Sequence, residues 1–225
     1  MEDTVERFVA DLAADVAPTL VNQYAVDVPG IDGPRAASIR RANLRKYLEP
    51  RIARPLALIG EAPSAHGARF SGIAFTAERS LSPDRRTSAP GLRTGGFTEH
   101  SATVLGRALG QAGIDPGDVI LWNAVPFHPA RPDDPLRNRR PSPDELDIGA
   151  QWLARFLALM RPGLVVAVGR TAGRALPVGT RIVRHPANGG SRQLQIDLAE
   201  LASELGYARE PGDGVAGNQR RAEEE

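Results

Sequence analysis

Residues 56–78 read LALIGEAPSAHGARFSGIAFTAE, and this stretch decides the fold. Leu56-Ala57-Leu58-Ile59 is a short apolar run stopped by Gly60, the pattern of a strand buried on both faces of a parallel sheet. Gly60 lets the chain turn, and Glu61 follows at once. A carboxylate at that exit stands where open α/β sheets bind ligands, in the crevice beyond the carboxyl ends of the strands. The loop that follows carries Pro63, Gly67 and Gly72 and ends on Phe75, an aromatic in a polar, glycine-flanked setting.

Upstream, Thr4 can cap a first helix whose apolar face is Val5, Phe8, Val9, Leu12 and Val16, ended by Pro18. A loop over residues 27–34 leads to a second helix over residues 35–48. That helix carries Arg40, Arg41, Arg45 and Lys46, either a solvated face or a phosphate-facing patch.

Downstream, residues 79–96 are turn formers with four arginines and little apolar content, which reads as a long surface loop, mobile or functional. A helix over 98–112 buries Val104, Leu105, Ala108 and Leu109 and stops at Gly113. The second strand is 119–122, with Asn123 at its exit. Residues 124–140 form a loop rich in proline and arginine. Ser142-Pro143-Asp144-Glu145 is a capping box, opening a helix that buries Leu146, Ala150, Leu153, Leu157 and Met160. The third strand, 164–168, exits at Gly169-Arg170 before a short helix with Ala172 and Leu176. The fourth, 181–184, exits at His185, and a last helix carries Leu194, Leu198, Leu201 and Leu205 on one face. Residues 209–225 are glycine, arginine and glutamate and are expected to be a disordered tail. The reading is a single domain over 1–208, with N-terminal helices in 1–50 and a core in 51–208.

Composition narrows the function classes. The 225 residues suffice for one α/β domain with a full core. The absence of cysteine excludes disulfides, thiolate zinc sites and cysteine-held iron–sulfur clusters, and fits a cytoplasmic protein. Glu2 and Asp3 are acidic where a signal peptide would be basic, and no apolar run approaches the ~20 residues of a membrane span, so no membrane is expected. The net charge is only +1, and Lys46 is the single lysine, so any phosphate contact must come from arginine forks on one face. No Walker loop, dinucleotide glycine motif or serine-hydrolase elbow is present, and His66, His100, His128 and His185 lack zinc-site spacing.

Strands that alternate with helices predict a parallel sheet covered on both sides. Glu61, Asn123, Gly169-Arg170 and His185 all fall at strand exits, so in one sheet they share one edge. Each alone has a plainer structural reading: a helix cap, a turn former, a loop histidine. Together they describe a crevice. Asn123 offers a donor and an acceptor, which suits a carbonyl beside an N–H, as in a uracil ring. Phe75 suits stacking on a flat ring, Glu61 suits holding or activating water, and His185 suits stabilising a developing oxyanion.

The order Gly60-Glu61-Ala62-Pro63, Gly72-Ile73-Ala74-Phe75, Asn123-Ala124-Val125, His185-Pro186-Ala187 resembles the uracil-DNA glycosylase superfamily. Its closest pattern is the bacterial branch that reads GE-x-PG, G-x-PF, NAVK and HPA. The resemblance covers roughly residues 56–206. It implies a three-layer α/β/α sandwich with a four-stranded parallel sheet. It also implies base excision repair: hydrolysis of the N-glycosidic bond of deoxyuridine in single- or double-stranded DNA, without cofactor or metal, by a monomer associated with the nucleoid during repair. By resemblance Phe75 stacks on the flipped base, Asn123 reads its Watson–Crick edge, and Gly60 and Ala62 touch it through their backbones. His185 hydrogen-bonds the carbonyl that gains charge, and Glu61 positions or activates the water. Arg139, Arg140, Asn188 and Arg192 are the expected DNA contacts. The alternatives are excision of another deaminated base, such as hypoxanthine or xanthine, and a non-catalytic protein that binds uracil or abasic sites.

Several residues depart from that branch. Its iron–sulfur cysteines are absent, Ser64 replaces a glycine, Ala74 replaces a proline, and Pro126 replaces the lysine after NAV. Where an apolar wedge often follows HPA, Asn188-Gly189-Gly190-Ser191-Arg192 stands instead. Either Arg192 takes the wedge's place, or the substrate is DNA that opens easily. One sub-branch traps DNA through a histidine in the loop after NAV. That loop has no histidine at the matching place, and His128 lies too early, which predicts turnover without a covalent adduct.

Overall fold

The computed structural model describes residues 3–207, so the expected tail at 209–225 lies outside the described residues. The elements follow in the order α1 (Val5–Ala14), α2 (Ala36–Leu48), β1 (Leu56–Gly60), α3 (Ala68–Ser71), α4 (His100–Gln111), β2 (Val119–Asn123), β3 (Ala130–Arg131), β4 (Asp134–Asn138), α5 (Pro143–Met160), β5 (Leu164–Val168), α6 (Arg170–Arg174), β6 (Arg181–Val183) and α7 (Ser191–Glu204).

Four strands form one parallel sheet in the order β2-β1-β5-β6. Every residue of β1 is buried, as a central strand covered on both faces requires. Its side chains alternate between two cores. Ala57 and Ile59 join Phe8 of α1, Leu44 of α2 and Phe156 of α5 on one face. Leu56 and Leu58 join Leu105 of α4 and Leu198 of α7 on the other. The result is the expected α/β/α sandwich, and the N-terminal helices share a core with the sheet.

The register aligns the exits. Gly60 pairs with Asn123, and Val168 with Val183, so Glu61, Asn123, Gly169 and His185 emerge along one rim.

Four details differ from expectation. Val16 is 80% exposed, because α1 stops at Ala14 and the chain turns extended at Asp15. In α5 the buried stripe runs through Glu145, Gly149, Leu153, Phe156 and Met160, and Ala150 faces solvent. The helix is rotated because Gly149 rests directly on the chain after β2; a Cβ there would lie 2.4 Å from the Ala124 carbonyl. The loop after Asn123 folds into a small antiparallel hairpin, β3–β4. The loop over 79–96 is tied down: the buried Glu78 carboxylate accepts backbone N–H groups of Thr87, Ser88 (2.7 Å) and Phe97 (3.1 Å).

The basic helix α2 fits neither sequence reading at Arg40. The Asp32, Arg40 and Arg69 side chains are fully buried, with Asp32 between the two guanidinium groups. Arg69 binds it at 2.6 and 2.9 Å, and Arg40 also donates to the Gln23 carbonyl. Burial pushes the Asp32 carboxyl up, but the Arg69 hydrogen bond and both positive charges outweigh it and hold the carboxyl below its ordinary range. For Arg40, burial and the charge of Arg69 bring the guanidinium down to about 10 against the pull of Asp32.

Candidate active site

The site is built over Gly60. A Cβ at this position would lie 2.6 Å from the Phe75 ring and 2.7 Å from Asn123 Oδ1, so only glycine lets both side chains close over the end of β1. Phe75 arrives in a left-handed backbone, φ 49°, which costs a side-chain-bearing residue about 1–2 kcal/mol. Such strain persists where the surroundings over-determine it. Here the preceding Gly72 turn is pinned by the Tyr24 hydroxyl, which donates to its carbonyl at 2.9 Å. The Phe75 ring is half-buried against the α4–α7 core, its centroid 6.4 Å from that of His185 and tilted by 42°.

Asn123 is buried, yet among the described residues its side-chain amide has no hydrogen bond. His185 is half-buried. The Ala187 N–H donates to its Nδ1 at 3.1 Å, which makes Nδ1 the acceptor and assigns the proton of the neutral ring to Nε2. Burial lowers the His185 pKa, Arg184 lowers it further, and Glu61 opposes both. The ring is therefore a neutral N–H donor at pH 7.

Two cavities meet at Glu61, His185 and Ala187. The inner one, about 270 Å3, is walled by Glu61, Ala62, Phe75, Asn123 and His185 together with Ser64 and Glu99. The outer one, about 840 Å3, is an open groove over the ends of β5 and β6, carrying Arg140, Arg170, Arg184 and Asn188. Asn188 stands at the groove with φ 53°, followed by Gly189 with φ 75°. Arg192 is exposed on the first turn of α7 but lines neither cavity.

Arg139 is not a free DNA contact. All five of its N–H donors are engaged: with the carbonyls of Ala130, Arg140 and Thr19, and as a bidentate pair with Glu145 at 2.6 Å on both arms. The fork clamps the hairpin to the cap of α5, where the Arg139 hydrogen bond leads the effects holding the Glu145 carboxyl down at about 2. Arg140, one residue on, is exposed in the groove.

Sequence reasoning noted His128 and Ser64 only as departures from the family pattern and did not single out Glu99. His128 is fully buried, with Nδ1 2.8 Å from the Pro63 carbonyl and Nε2 3.2 Å from that of Pro135. Burial chiefly brings its pKa down to about 4, so the ring is neutral, carries one N–H and donates to one of the two carbonyls; the shorter contact, to Pro63, assigns that proton to Nδ1 and holds the Glu61–Ser64 loop. Glu99 precedes α4 with no motif around it. Burial pushes its carboxyl up to about 7. Among the described residues no group of three histidine, aspartate or glutamate side chains gathers as a metal site needs, and no helix is long and apolar enough to cross a membrane.

The uracil DNA glycosylase superfamily model matches residues 46–205. The chain belongs to the uracil DNA glycosylase superfamily. The crystal structure of wild-type Pedobacter heparinus SMUG2 superposes on 90% of this chain and 97% of its own, with a TM-score of 0.54 at 14% identity, a likeness of fold. No curated protein matches the sequence. Family and fold together are those of DNA glycosylases of base excision repair.

Proposed function

We propose that this superfamily member hydrolyses the N-glycosidic bond of deoxyuridine in DNA. The observation that carries the reading is the convergence on one cavity of an aromatic ring, an unpaired amide and an imidazole N–H, with a carboxylate at its mouth: Phe75, Asn123, His185 and Glu61. A base stacked inside a duplex cannot enter a cavity walled by these side chains, so the nucleotide enters flipped or from a single strand. Phe75 stacks on the ring, a contact worth about 1–3 kcal/mol. Asn123 accepts from N3–H and donates to O4. Cytosine presents the reverse pattern and leaves both groups of the buried amide unpaired.

The bond from N1 to C1′ breaks with its electron pair passing to the base. The leaving anion is delocalised over N1, O2 and O4, and the His185 Nε2–H donates to O2 where charge grows. Burial keeps His185 neutral, so it gives a hydrogen bond without first having to lose a proton. Water adds to C1′ of the sugar cation, oriented by Glu61, which takes its proton; the free base is protonated by solvent. Arg140, Arg170 and Arg184 in the groove bind backbone phosphates as forks. With His128 buried and hydrogen-bonded, the loop after Asn123 offers no free histidine nucleophile, which supports turnover without a covalent adduct.

The test uses labelled oligonucleotides with one uracil, single-stranded or opposite G or A, followed by alkali. Strand scission by the wild type, reduced about 10²-fold or more in Glu61→Gln and His185→Ser, supports the reading. No scission of any uracil substrate by folded protein overturns it.

A further inference from the structure

His66 takes no part in the chemistry above. It lies on the loop between β1 and α3 and is exposed. Among the described residues its ring nitrogens have no hydrogen bond, and the ring is held by stacking instead. Its centroid is 5.0 Å from that of Phe97, with the two planes 2° apart. Phe97 in turn stacks on Phe70 at 4.5 Å and 14°, and both are buried. The column is backed by the buried Arg69, whose guanidinium lies 4.7 Å from the centre of the Phe70 ring. Three nearly parallel rings thus run from the interior to the surface, and the outermost is a flat imidazole open to solvent. Any apolar side chain would serve merely to cover Phe97. A ring lying flat on it offers a surface suited to a second flat ring.

The column stands beside the inner cavity. Ser64 and Ala68, two residues to either side of His66, line that cavity, as does Glu99, two residues after Phe97. Gly67, next to His66, is pressed against the same wall; a Cβ there would lie 1.7 Å from Glu99 Oε2 and 2.6 Å from Ser64 Oγ. The arginine groove does not share this wall, because it meets the cavity at Glu61, His185 and Ala187. A strand that lies in the groove and turns one nucleotide into the cavity has His66 on its far side. Arg93 is there too, exposed, with its guanidinium 5.7 Å from the centre of the Phe97 ring. Among the described residues that guanidinium has no hydrogen bond or ion pair. An aromatic face with a free arginine beside it is what single-stranded nucleic acid binds.

We infer that His66, on its Phe97 support, is a stacking platform for the unpaired base next to the target nucleotide in the same strand, with Arg93 at an adjoining phosphate. This rests on the reading above only in that a nucleotide of a DNA strand enters the inner cavity. It also gives the loop over 79–96 a task, since that loop carries Arg93 and leads into Phe97, both ends held by the Glu78 carboxylate. A base that is paired keeps its own stack, so the platform favours DNA that is single-stranded around the target.

The experiment measures binding by fluorescence anisotropy to single-stranded oligonucleotides with one deoxyuridine. A 2′-fluorine on its sugar destabilises the cation and holds off cleavage. The neighbouring bases are either intact or replaced, on the 5′ side or the 3′ side, by an abasic tetrahydrofuran. Removing the base on one side should weaken wild-type binding by at least about fivefold, the lower end of what one stacked base is worth. His66→Leu still covers Phe97 but offers no ring. It should bind the intact strand weaker by the same factor and be indifferent to loss of that neighbouring base. His66→Trp, which restores a flat face, should regain both the affinity and the dependence on the neighbour. Wild-type affinity in His66→Leu overturns the inference, as does a loss in that variant that leaves the neighbour effect in place, because His66 would then be cover for Phe97 alone. Cleavage of unmodified uracil strands, followed separately, keeps the two readings apart. A neighbour effect that depends on His66 in protein that cleaves no uracil supports the platform and overturns the uracil reading. Uracil cleavage with no neighbour effect overturns the platform and leaves the uracil reading standing.

Discussion

Glu78 and Glu99 flank the same loop and are buried in opposite ways. Around Glu78 three backbone N–H groups meet the carboxylate, and nearby Asp32 is met by two guanidinium groups. Around Glu99 nothing in the protein meets Oε2. A buried polar group that is fully satisfied specifies a structure, whereas one left open makes room for something from outside. The difference separates the framework from the pocket within a single surface of this molecule.

The largest expected effect sharpens the framework side. Asp32→Ala strands two buried guanidinium groups and should cost about 3–5 kcal/mol in denaturant unfolding. A loss near zero would break the comparison, because the cluster would then be no more structural than the pocket. Next in size, His185→Ser should remove about 10²–10³-fold of the cleavage rate while its unfolding midpoint stays that of the wild type. A parallel loss of stability would move His185 to the framework side.

The third prediction is a pH dependence. The folded pKa of Glu99 is raised, so its stabilising contribution is fully present below about 4.5 and is lost as pH rises through about 7. Glu99→Gln cannot ionise. It should match the wild type at pH 4 and exceed it by about 3 kcal/mol at pH 8 in paired unfolding curves. An equal effect at both pH values would contradict the buried, unpartnered carboxyl. The smallest effect separates neighbours: Arg140→Ala should lower the log–log salt slope of DNA binding by about one, and Arg139→Ala should leave that slope unchanged while destabilising the fold.

What the sequence revealed was whatever a local pattern carries. The run Leu56–Ile59 stopped by glycine is a buried strand, and the residues at or just beyond the strand ends are Glu61, Asn123 and His185, which the register of the parallel sheet brings to one rim. What stayed hidden depends on which side chains the folded loops bring together, which no periodicity encodes. Arg40 and Arg139 look like any surface arginine until Asp32 and Glu145 are brought to them. Gly149 carries no apolar signal, yet it sets the rotation of α5. Glu99 enters the pocket through the fold of a loop, with no motif to announce it.

The Asp32 cluster has a practical consequence. The match to the superfamily begins at residue 46, but Asp32, Arg40 and Phe8 lie before it. A fragment trimmed to the family boundary would keep every side chain of the pocket. It would also bare Arg69, uncover the face of Trp122 that Phe8 packs against, and release the Gly72 turn that Tyr24 holds. For this protein the boundary for expression is set by the first helix, and minimal versions of the enzyme have to be cut before Val5.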